Sequence, residues 1–200
     1  MSMIDVLIGF VVGVIASILG NYLLYLSAWK PFKDFRKTGV LRIFKNQESA
    51  TKSMLKDIET SSVLRVLAMK GESFSNHLKE ELSTHLYNAS IEQRYLISSC
   101  DNAYLQTRNK ELGVDMSDAI KQSIKNFQKA QVKNKNIEMK LHKEVVRFRI
   151  ILLDNSLYLS FQETGMPGRK SPVLKIDKDS AMYQNFSTLF TDLWNKSDSM

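Results

Sequence analysis

The chain has 200 residues, of which 28 are Lys or Arg and 21 are Asp or Glu, so it is basic with a formal net charge of +7. Its one cysteine, Cys100, excludes an intrachain disulfide framework and fits a reducing compartment. The three histidines, His77, His85 and His142, show no metal-ligand spacing with it, so the sequence predicts no metal site and no cofactor.

The first 29 residues form the most apolar stretch. From Ile4 to Trp29 the only charged residue is Asp5, and a helix of this length would measure roughly 39 Å against a hydrocarbon core of about 30 Å. No Lys or Arg precedes the stretch, as a cleaved secretory signal would require, whereas a basic cluster follows it from Lys30 to Lys45. We therefore expect residues 1–29 to form one uncleaved transmembrane helix in the inner (plasma) membrane, with the C-terminal part cytoplasmic.

Small residues recur along this predicted helix. Gly9, Gly13, Ala16 and Gly20 follow at steps of four, three and four residues, which places them on one helical face. Such a face lets two helices pack closely, and Gly9 with Gly13 forms a GxxxG pair. Because Gly is common in membrane helices, two interpretations stay open: self-association into a homo-oligomer, or a plain anchor.

Residues 30–47 are predicted to be a basic, amphipathic juxtamembrane segment. Phe32 and Phe35 alternate there with Lys33, Arg36 and Lys37, a pattern typical of interfacial anchoring. The chain after the span carries 28 basic against 20 acidic residues, a formal excess of +8. Two partners suit this charge: anionic lipids of the inner leaflet near residues 30–45, and an anionic small molecule or nucleotide.

Residues 48–200 are predicted to form one cytoplasmic α/β domain with a mixed sheet, from the alternation of period-2 and period-3.6 segments. The expected helices cover residues 48–60, 73–88, 115–133 and about 180–194, and residues 102–112 are a loop or short helix. The expected strands are 63–69, 94–99, 137–142, 145–153, 157–161 and 173–176. Of these, the first two belong to a parallel βαβ unit, the fourth and fifth form a hairpin, and the last is an edge strand.

The turn after the first of these strands is a candidate anion site. Gly71 and Ser73 lie where a strand passes into a helix, and backbone N–H groups at such a junction can receive a phosphate. Ser99, at the end of the parallel partner strand, and Arg108 beyond it complete the candidate set. Most strand-to-helix turns with Gly and Ser bind nothing, so a plain turn is the alternative.

Two arginines occupy one predicted strand that is otherwise apolar, which is unusual for a buried strand. Arg147 and Arg149 lie two residues apart and so share one face of the strand. Like charges rarely occupy such positions unless an anion meets them, which makes both candidate ligand-binding residues. The alternatives are an ion pair with Glu138 or Glu144, or a solvent-exposed face.

From Arg147 to Asp154 the sequence resembles the phospholipase-D-like superfamily, whose motif is His, one residue, Lys, four residues and Asp. The chain keeps this spacing but has Arg147 for the His and Arg149 for the Lys; Asp154 matches, and Ser160 lies roughly where the family has a small polar residue. The order of predicted elements extends the resemblance over residues 39–196. In that family the His is the nucleophile, and an Arg cannot take its place because it stays protonated. The resemblance thus implies a degenerate motif and no catalytic residue.

These features suggest a membrane-anchored sensor or effector that binds a phosphate-bearing ligand and acts through self-association of its transmembrane helix. Such an arrangement is similar to prokaryotic antiviral effectors that respond to cyclic oligonucleotides. Two alternatives are a membrane-tethered phosphodiesterase or nuclease with a divergent site, in which His142 would be the nucleophile, and a non-catalytic scaffold whose basic surface follows the leaflet. Asp154 and Asp101 could form a carboxylate pair, but both follow strands, where turn roles explain them.

Overall fold

The computed structural model of the protein describes residues 38–71 and 91–199. The chain divides into two compact units, Met1–Thr38 and Gly39–Met200. The expected membrane span and its small-residue face lie outside the described residues, as does the helix expected over residues 73–88. Within the two described ranges, no helix has both the length and the apolar character needed to cross a membrane.

The Gly39–Met200 unit alternates strands and helices. The described helices are α1 (Gln47–Glu59), α2 (Ala103–Leu112), α3 (Ser117–Lys133) and α4 (Ala181–Lys196), with a short 3-10 helix at Gly168–Lys170. The described strands are β1 (Val40–Phe44), β2 (Val63–Ala68), β3 (Glu92–Ser98), β4 (Ile137–His142), β5 (Phe148–Leu153), β6 (Ser156–Phe161), β7 (Val173–Asp177) and β8 (Asp198–Ser199).

These strands form one mixed sheet in the order β1-β7-β6-β5-β2-β3-β4-β8. The central strands β2, β3 and β4 run parallel to one another, and β5 pairs antiparallel with β2. From β5 outward through β6 and β7 to β1, every pairing is antiparallel. The expected α/β class with a mixed sheet is confirmed, as are the parallel pairing of β2 with β3 and the β5–β6 hairpin.

Helices cover both faces of the sheet because successive strand residues point to opposite sides. Val66 belongs to the core under α1 and α3, which contribute Met54 and Ile120. Its neighbour Leu67 belongs to the opposite core, where α4 contributes Phe190. Each face therefore has its own apolar layer, and the sheet between them is buried along its centre.

Two predictions fail at the β1 side of the sheet. β7 is not an edge strand: it lies between β6 and β1, with Leu174 opposite both Leu159 and Ile43. β1 itself lies in the segment that the sequence assigned to a juxtamembrane role. Its pairing with β7 shifts register between Val40 and Arg42, so it lacks the strict alternation that reveals a strand.

Two boundaries are sharper than the sequence indicated. The segment predicted as a loop or short helix is helix α2, which begins after Asn102, whose side chain accepts from the Tyr104 N–H at 2.9 Å. It ends at Gly113, which has a φ of 65°. β5 begins at Phe148 rather than Val145, since Val145 is 64% exposed and lies outside the sheet.

Candidate functional site

Most of the predicted ligand-binding positions meet at one edge of the sheet. Because β2 and β3 are parallel, Gly71 and Ser99 follow their carboxyl ends at the same edge. β5 is antiparallel to β2, so its amino end, with Arg147 and Arg149, lies at that edge too. We call this the arginine edge: the end of the sheet, along the strand direction, at which β2, β3 and β4 finish and β5 begins. The topology thus brings together residues that are up to 78 positions apart in the chain.

Among the described residues, Arg149 has a buried, unpartnered Nε at the arginine edge. It lies on β5 directly opposite Ser160 of β6, on the face covered by α1, α2 and α3. The residue is partly buried, and its Nε is fully inaccessible with no hydrogen-bond partner among the described residues. Burial lowers the pKa of Arg149 to about 10, so the guanidinium remains charged at neutral pH. A charged donor is therefore held at this edge without a partner.

Arg147 is the accessible member of the pair. Its side chain is 55% exposed, and its guanidinium carbon lies 5.3 Å from the centre of the Tyr104 ring. One terminal nitrogen is 3.7 Å from Glu111 Oε1, at the long end of an ion pair. The acid beside it is thus Glu111 of α2, and neither of the two glutamates considered from the sequence. Because the contact is long and the side chain exposed, an incoming anion can compete with it.

Arg108 is a buried side chain that links the segments around the arginine edge by hydrogen bonds. It is 2% exposed, and its NH1 donates to Glu111 Oε2 at 2.6 Å and to the Glu163 carbonyl at 2.7 Å. Its NH2 donates to the Met166 carbonyl. These bonds tie α2 to the segment after β6 and orient Glu111 toward Arg147. Arg108 is therefore placed to hold the site together rather than to contact a ligand.

The remaining predicted positions contribute backbone geometry. Gly71 has a φ of +67°, and a Cβ there would come within 2.8 Å of Ile97 Cδ1. The Ser99 hydroxyl donates to the Asp101 carboxylate, which lowers the pKa of Asp101. Ser73 lies outside the described residues. The ligand role assigned to these three residues stays a prediction.

Asp154 has a structural role at the opposite edge. Its carboxylate accepts hydrogen bonds from the Ser62 N–H at 2.7 Å, the Ser62 hydroxyl at 2.8 Å and the Val63 N–H at 2.8 Å. These bonds join the end of β5 to the start of β2. Asp101 follows β3 at the arginine edge, so the two carboxylates lie at opposite ends of the sheet and cannot act as a pair.

His142 is poorly placed to be a nucleophile at Arg147. It ends β4, which two strands separate from β5, and its ring lines a small cavity together with Val146 and Phe148, not an open surface beside Arg147. Its side chain is 4% exposed, and burial lowers its pKa to about 4, slightly offset by a contact with the Glu144 backbone. The imidazole is therefore neutral and enclosed at physiological pH.

Two residues that sequence reasoning missed also carry unpaired polar atoms near the arginine edge. Gln162 Oε1 and Ser171 Oγ are buried without a hydrogen-bond partner among the described residues. The Gln162 N–H donates to the Arg147 carbonyl at 2.7 Å, which places Gln162 beside Arg147, and Ser171 lies just before β7 at the same edge. Alternation along β6 puts Gln162 on the face of Ser160, a signal available from the sequence; Ser171 offers none.

The arrangement suits anion binding better than bond cleavage. Arginine forks match phosphate oxygens, but a guanidinium neither attacks phosphorus nor exchanges protons at neutral pH. In the described ranges no group of three or more His, Cys, Asp or Glu residues could hold a metal ion.

Comparison with solved structures identifies the fold. Over 93% of this chain and 68% of the other, the chain is similar to TrmBL2, an archaeal chromatin protein described as having a novel mode of DNA binding, with a TM-score of 0.52 and 12% identity. It is also similar to Nuc, a phospholipase D family member from Salmonella typhimurium, over 80% of this chain and 96% of that chain, with a TM-score of 0.51 and 12% identity. NucT from Helicobacter pylori aligns with a TM-score of 0.47 and 10% identity, over 80% of this chain and 98% of that one.

No protein-family model matches the chain, and no curated protein is significantly similar to it in sequence. At these identities the structural likeness concerns the fold alone. The domain has a phospholipase-D-like fold, as the resemblance in the Arg147 to Asp154 segment implied.

Proposed function

We propose that this chain is a membrane-anchored sensor or effector whose Gly39–Met200 unit binds a phosphate-bearing ligand at the arginine edge. A cyclic oligonucleotide second messenger is the ligand class we favour, with antiviral defence as the setting. The observation that carries the proposal is the buried, unpartnered Nε of Arg149, two residues from the exposed guanidinium of Arg147.

The energetic argument rests on the cost of leaving Arg149 unpaired. A buried donor without a partner costs about 1–3 kcal/mol, and more when it is charged. A phosphate oxygen at Arg149 would remove this cost and gain a charge-assisted hydrogen bond. The same phosphate would find a second guanidinium at Arg147, which is held by a long contact to Glu111 and by the Tyr104 ring. An anionic ligand would thus gain binding free energy by pairing with both guanidinium groups.

Binding without turnover is the favoured mode. At the two motif positions where the resembled family has a His nucleophile and a Lys, this chain has Arg147 and Arg149. Both can hold a phosphate, and neither can form a phosphoryl intermediate. We therefore propose that the protein acts through a change in its association state and not through a chemical reaction.

The proposed output is self-association of the N-terminal helix in the inner (plasma) membrane. Close packing through Gly9, Gly13, Ala16 and Gly20 would join two or more chains, and ligand binding by the cytoplasmic units would favour that state. Anionic lipids would hold the part of the juxtamembrane segment that precedes β1, residues 30–39, at the leaflet.

A binding assay on the full chain in detergent micelles tests the proposal. Cyclic di- and trinucleotides are added to the wild type and to the double variant Arg147→Ala, Arg149→Ala, and the shift in melting temperature is measured. We expect at least one nucleotide to stabilise the wild type by RT ln(1 + [L]/Kd) and to leave the double variant unshifted. Arg94→Ala is the matched control, because Arg94 pairs with Glu92 and Glu138 at the opposite edge.

Three results would contradict the proposal. Equal shifts in the wild type and the double variant would place the ligand elsewhere. Hydrolysis of phosphodiesters that disappears in His142→Ala would establish the second candidate, a tethered nuclease, which the fold shared with Nuc favours. Binding to anionic vesicles with no nucleotide response would leave a scaffold whose basic surface follows the leaflet.

A further inference from the structure

A small, mostly apolar cavity with a few polar groups lies at the arginine edge, between the ends of β2, β3 and β4 and the segment that leads into β5. Its apolar wall includes Leu67, Val146 and Phe148, and its polar lining includes Ser98, Tyr104 and His142. The cavity has room for about one water-sized group. It is therefore too small for a base or a sugar ring, and large enough for one polar group of about one heavy atom.

The polar lining is only partly satisfied. Asn102, another lining residue, donates to Ser98 Oγ and to the Glu144 carbonyl, both at 3.0 Å, so its amide is used within the protein. The Tyr104 hydroxyl is buried without a hydrogen-bond partner among the described residues, and the His142 ring nitrogens are buried with no well-aligned hydrogen bond, only a contact with the Glu144 backbone. Tyr104 is 5% exposed and His142 is 4% exposed. The open hydrogen-bonding capacity of the cavity thus belongs to His142 and Tyr104.

The chemistry of these groups defines what fits. A neutral imidazole offers one N–H donor and one nitrogen acceptor, and a phenol can donate or accept. A charged group would be poorly solvated here, since the wall is apolar and His142 is uncharged. A hydroxyl group supplies both a donor and an acceptor at the size of about one heavy atom. Water and an alcohol share this chemistry.

Tyr104 connects the cavity to the arginines. The Tyr104 side chain lines the cavity, and the guanidinium carbon of Arg147 lies 5.3 Å from the centre of the Tyr104 ring. Val146 and Phe148 line the cavity and belong to the α4-side core, whereas Arg149 faces the other side of β5, so Tyr104 is the contact that joins the cavity to Arg147. A ligand with its phosphate on Arg147 therefore has a hydrogen-bonding recess within its own length.

We propose that this cavity receives a hydroxyl group of the phosphate-bearing ligand, with His142 and Tyr104 as its hydrogen-bonding partners, so that the protein selects phosphate esters that carry a free hydroxyl. The inference rests on the proposed function, because it needs a phosphate at the arginines. Ribonucleotides and polyol phosphates such as lipid headgroups both have this chemistry.

Two matched pairs of probes test the inference on the full chain in detergent micelles. The RNA dinucleotide pApA is compared with its 2′-deoxy counterpart, and myo-inositol 1-phosphate is compared with cyclohexyl phosphate, by titration calorimetry. We expect the hydroxyl-bearing member of at least one pair to bind about tenfold more tightly to the wild type. The pair that shows the difference identifies the source of the hydroxyl. In Tyr104→Phe the ratio of the two affinities should approach one.

Tyr183→Phe is the matched control, because the Tyr183 hydroxyl donates to the Leu153 carbonyl at 2.6 Å, at the other end of β5. It should keep the tenfold ratio. If Tyr104→Phe fails to fold, His142→Leu should abolish the ratio in its place. Equal affinities within both pairs would overturn this inference and leave the proposed function standing, with the cavity holding water alone. Absence of binding by all four probes and by the cyclic nucleotides would overturn both.

Discussion

Arg149 shows how one side chain can mark a site without taking part in the stability of the fold. Its Nε is buried and has no hydrogen-bond partner among the described residues, whereas the buried Arg108 uses its guanidinium in three hydrogen bonds. Arg108 lies in the polar helix α2, whereas Arg149 lies in the apolar strand β5. Arg65 and Arg94 also have a buried Nε without a well-aligned hydrogen bond, but each forms an ion pair with Glu92, whereas no ion pair of Arg149 is found among the described residues.

The first prediction concerns the cost of that open donor. Arg149→Met keeps much of the side-chain volume and removes the charge, so we expect the ligand-free protein to become more stable by about 1 kcal/mol while ligand binding is lost. Urea unfolding of the full chain measures the change. Arg94→Met, which breaks ion pairs with Glu92 and Glu138, should instead be neutral or slightly destabilising. A loss of stability in Arg149→Met would reveal a partner for the guanidinium.

The second prediction concerns pH. His142 has a pKa of about 4 in the folded protein against 6.5 ordinarily, because burial disfavours its charged form. Between these values the unfolded chain binds more protons than the folded one, so stability is complete above pH 6.5 and falls as the pH drops. We expect His142 to account for a loss of about 2 kcal/mol between pH 7.5 and pH 5.

Urea unfolding of the wild type and of His142→Gln at the two pH values measures this contribution. Gln does not titrate, so the variant should lose less stability on acidification than the wild type, by about the amount assigned to His142. Parallel curves for the two proteins would mean that the imidazole takes up its proton in the folded state as readily as in the unfolded one.

At the scale of elements, the direction of β5 decides where Arg147 and Arg149 lie. A parallel strand in that position would have placed Arg147 and Arg149 at the edge where Asp154 now joins β5 to β2. Because β5 is antiparallel to β2, its amino end meets the carboxyl ends of β2 and β3, where the chain turns at Gly71 and Ser99. Loops that leave one edge of a sheet are free to form a binding site, since they are not required to pair in the sheet.

The third prediction concerns the turn after β2. Gly71 has a φ of +67°, and a Cβ would lie 2.8 Å from Ile97 Cδ1 and 3.2 Å from Phe127 Cε2. We expect Gly71→Ala to lower stability by about 2 kcal/mol or more, because the strained backbone adds to the overlap. Gly113→Ala is the control: its φ is +65° with no atom within 4 Å, so only the backbone cost of about 1 kcal/mol remains.

Thermal unfolding of the two alanine variants measures the difference. Equal losses of stability would show that Ile97 and Phe127 move aside without cost, and that the turn needs glycine for its backbone conformation alone.

At the scale of the whole molecule, the proposal assigns binding to the Gly39–Met200 unit and output to the N-terminal helix. The unit has a phospholipase-D-like fold, with two arginines at the motif positions that are His and Lys in the resembled family. Under the proposal, a domain of this fold binds a phosphate without cleaving a bond. Activity would then require a second element to respond, and the predicted span is the candidate.

The fourth prediction concerns that element. Gly9→Leu with Gly13→Leu places bulky side chains on the proposed contact face, so we expect self-association of the full chain in lipid bilayers to fall at least severalfold while nucleotide binding is unchanged. Chemical cross-linking of the reconstituted protein measures the first and calorimetry the second. Val11→Leu with Ile18→Leu, on the opposite helical face, is the control. Retained self-association in the glycine variant would return the span to the role of a simple anchor.

The sequence by itself determined the main elements of the domain. Continuous runs of branched residues predicted β2 and β5, strict alternation predicted β4, and the apolar stripes predicted α1, α3 and α4, because burial of one face imposes a period that local sequence records. The resemblance of the Arg147 to Asp154 segment to the phospholipase-D-like superfamily implied the fold, and the likeness to Nuc supports that fold.

Only the tertiary structure decided which partners these residues have. Nothing near Arg147 in the chain indicates Glu111, and nothing near Arg108 indicates the carbonyl groups of Glu163 and Met166. β1 was likewise invisible in the sequence, because its pairing with β7 joins segments more than 120 residues apart and its register shift removes the alternation. The physical reason is common to all three: a period reports whether a residue is buried, whereas hydrogen bonds and ion pairs depend on segments that meet only after the chain has folded.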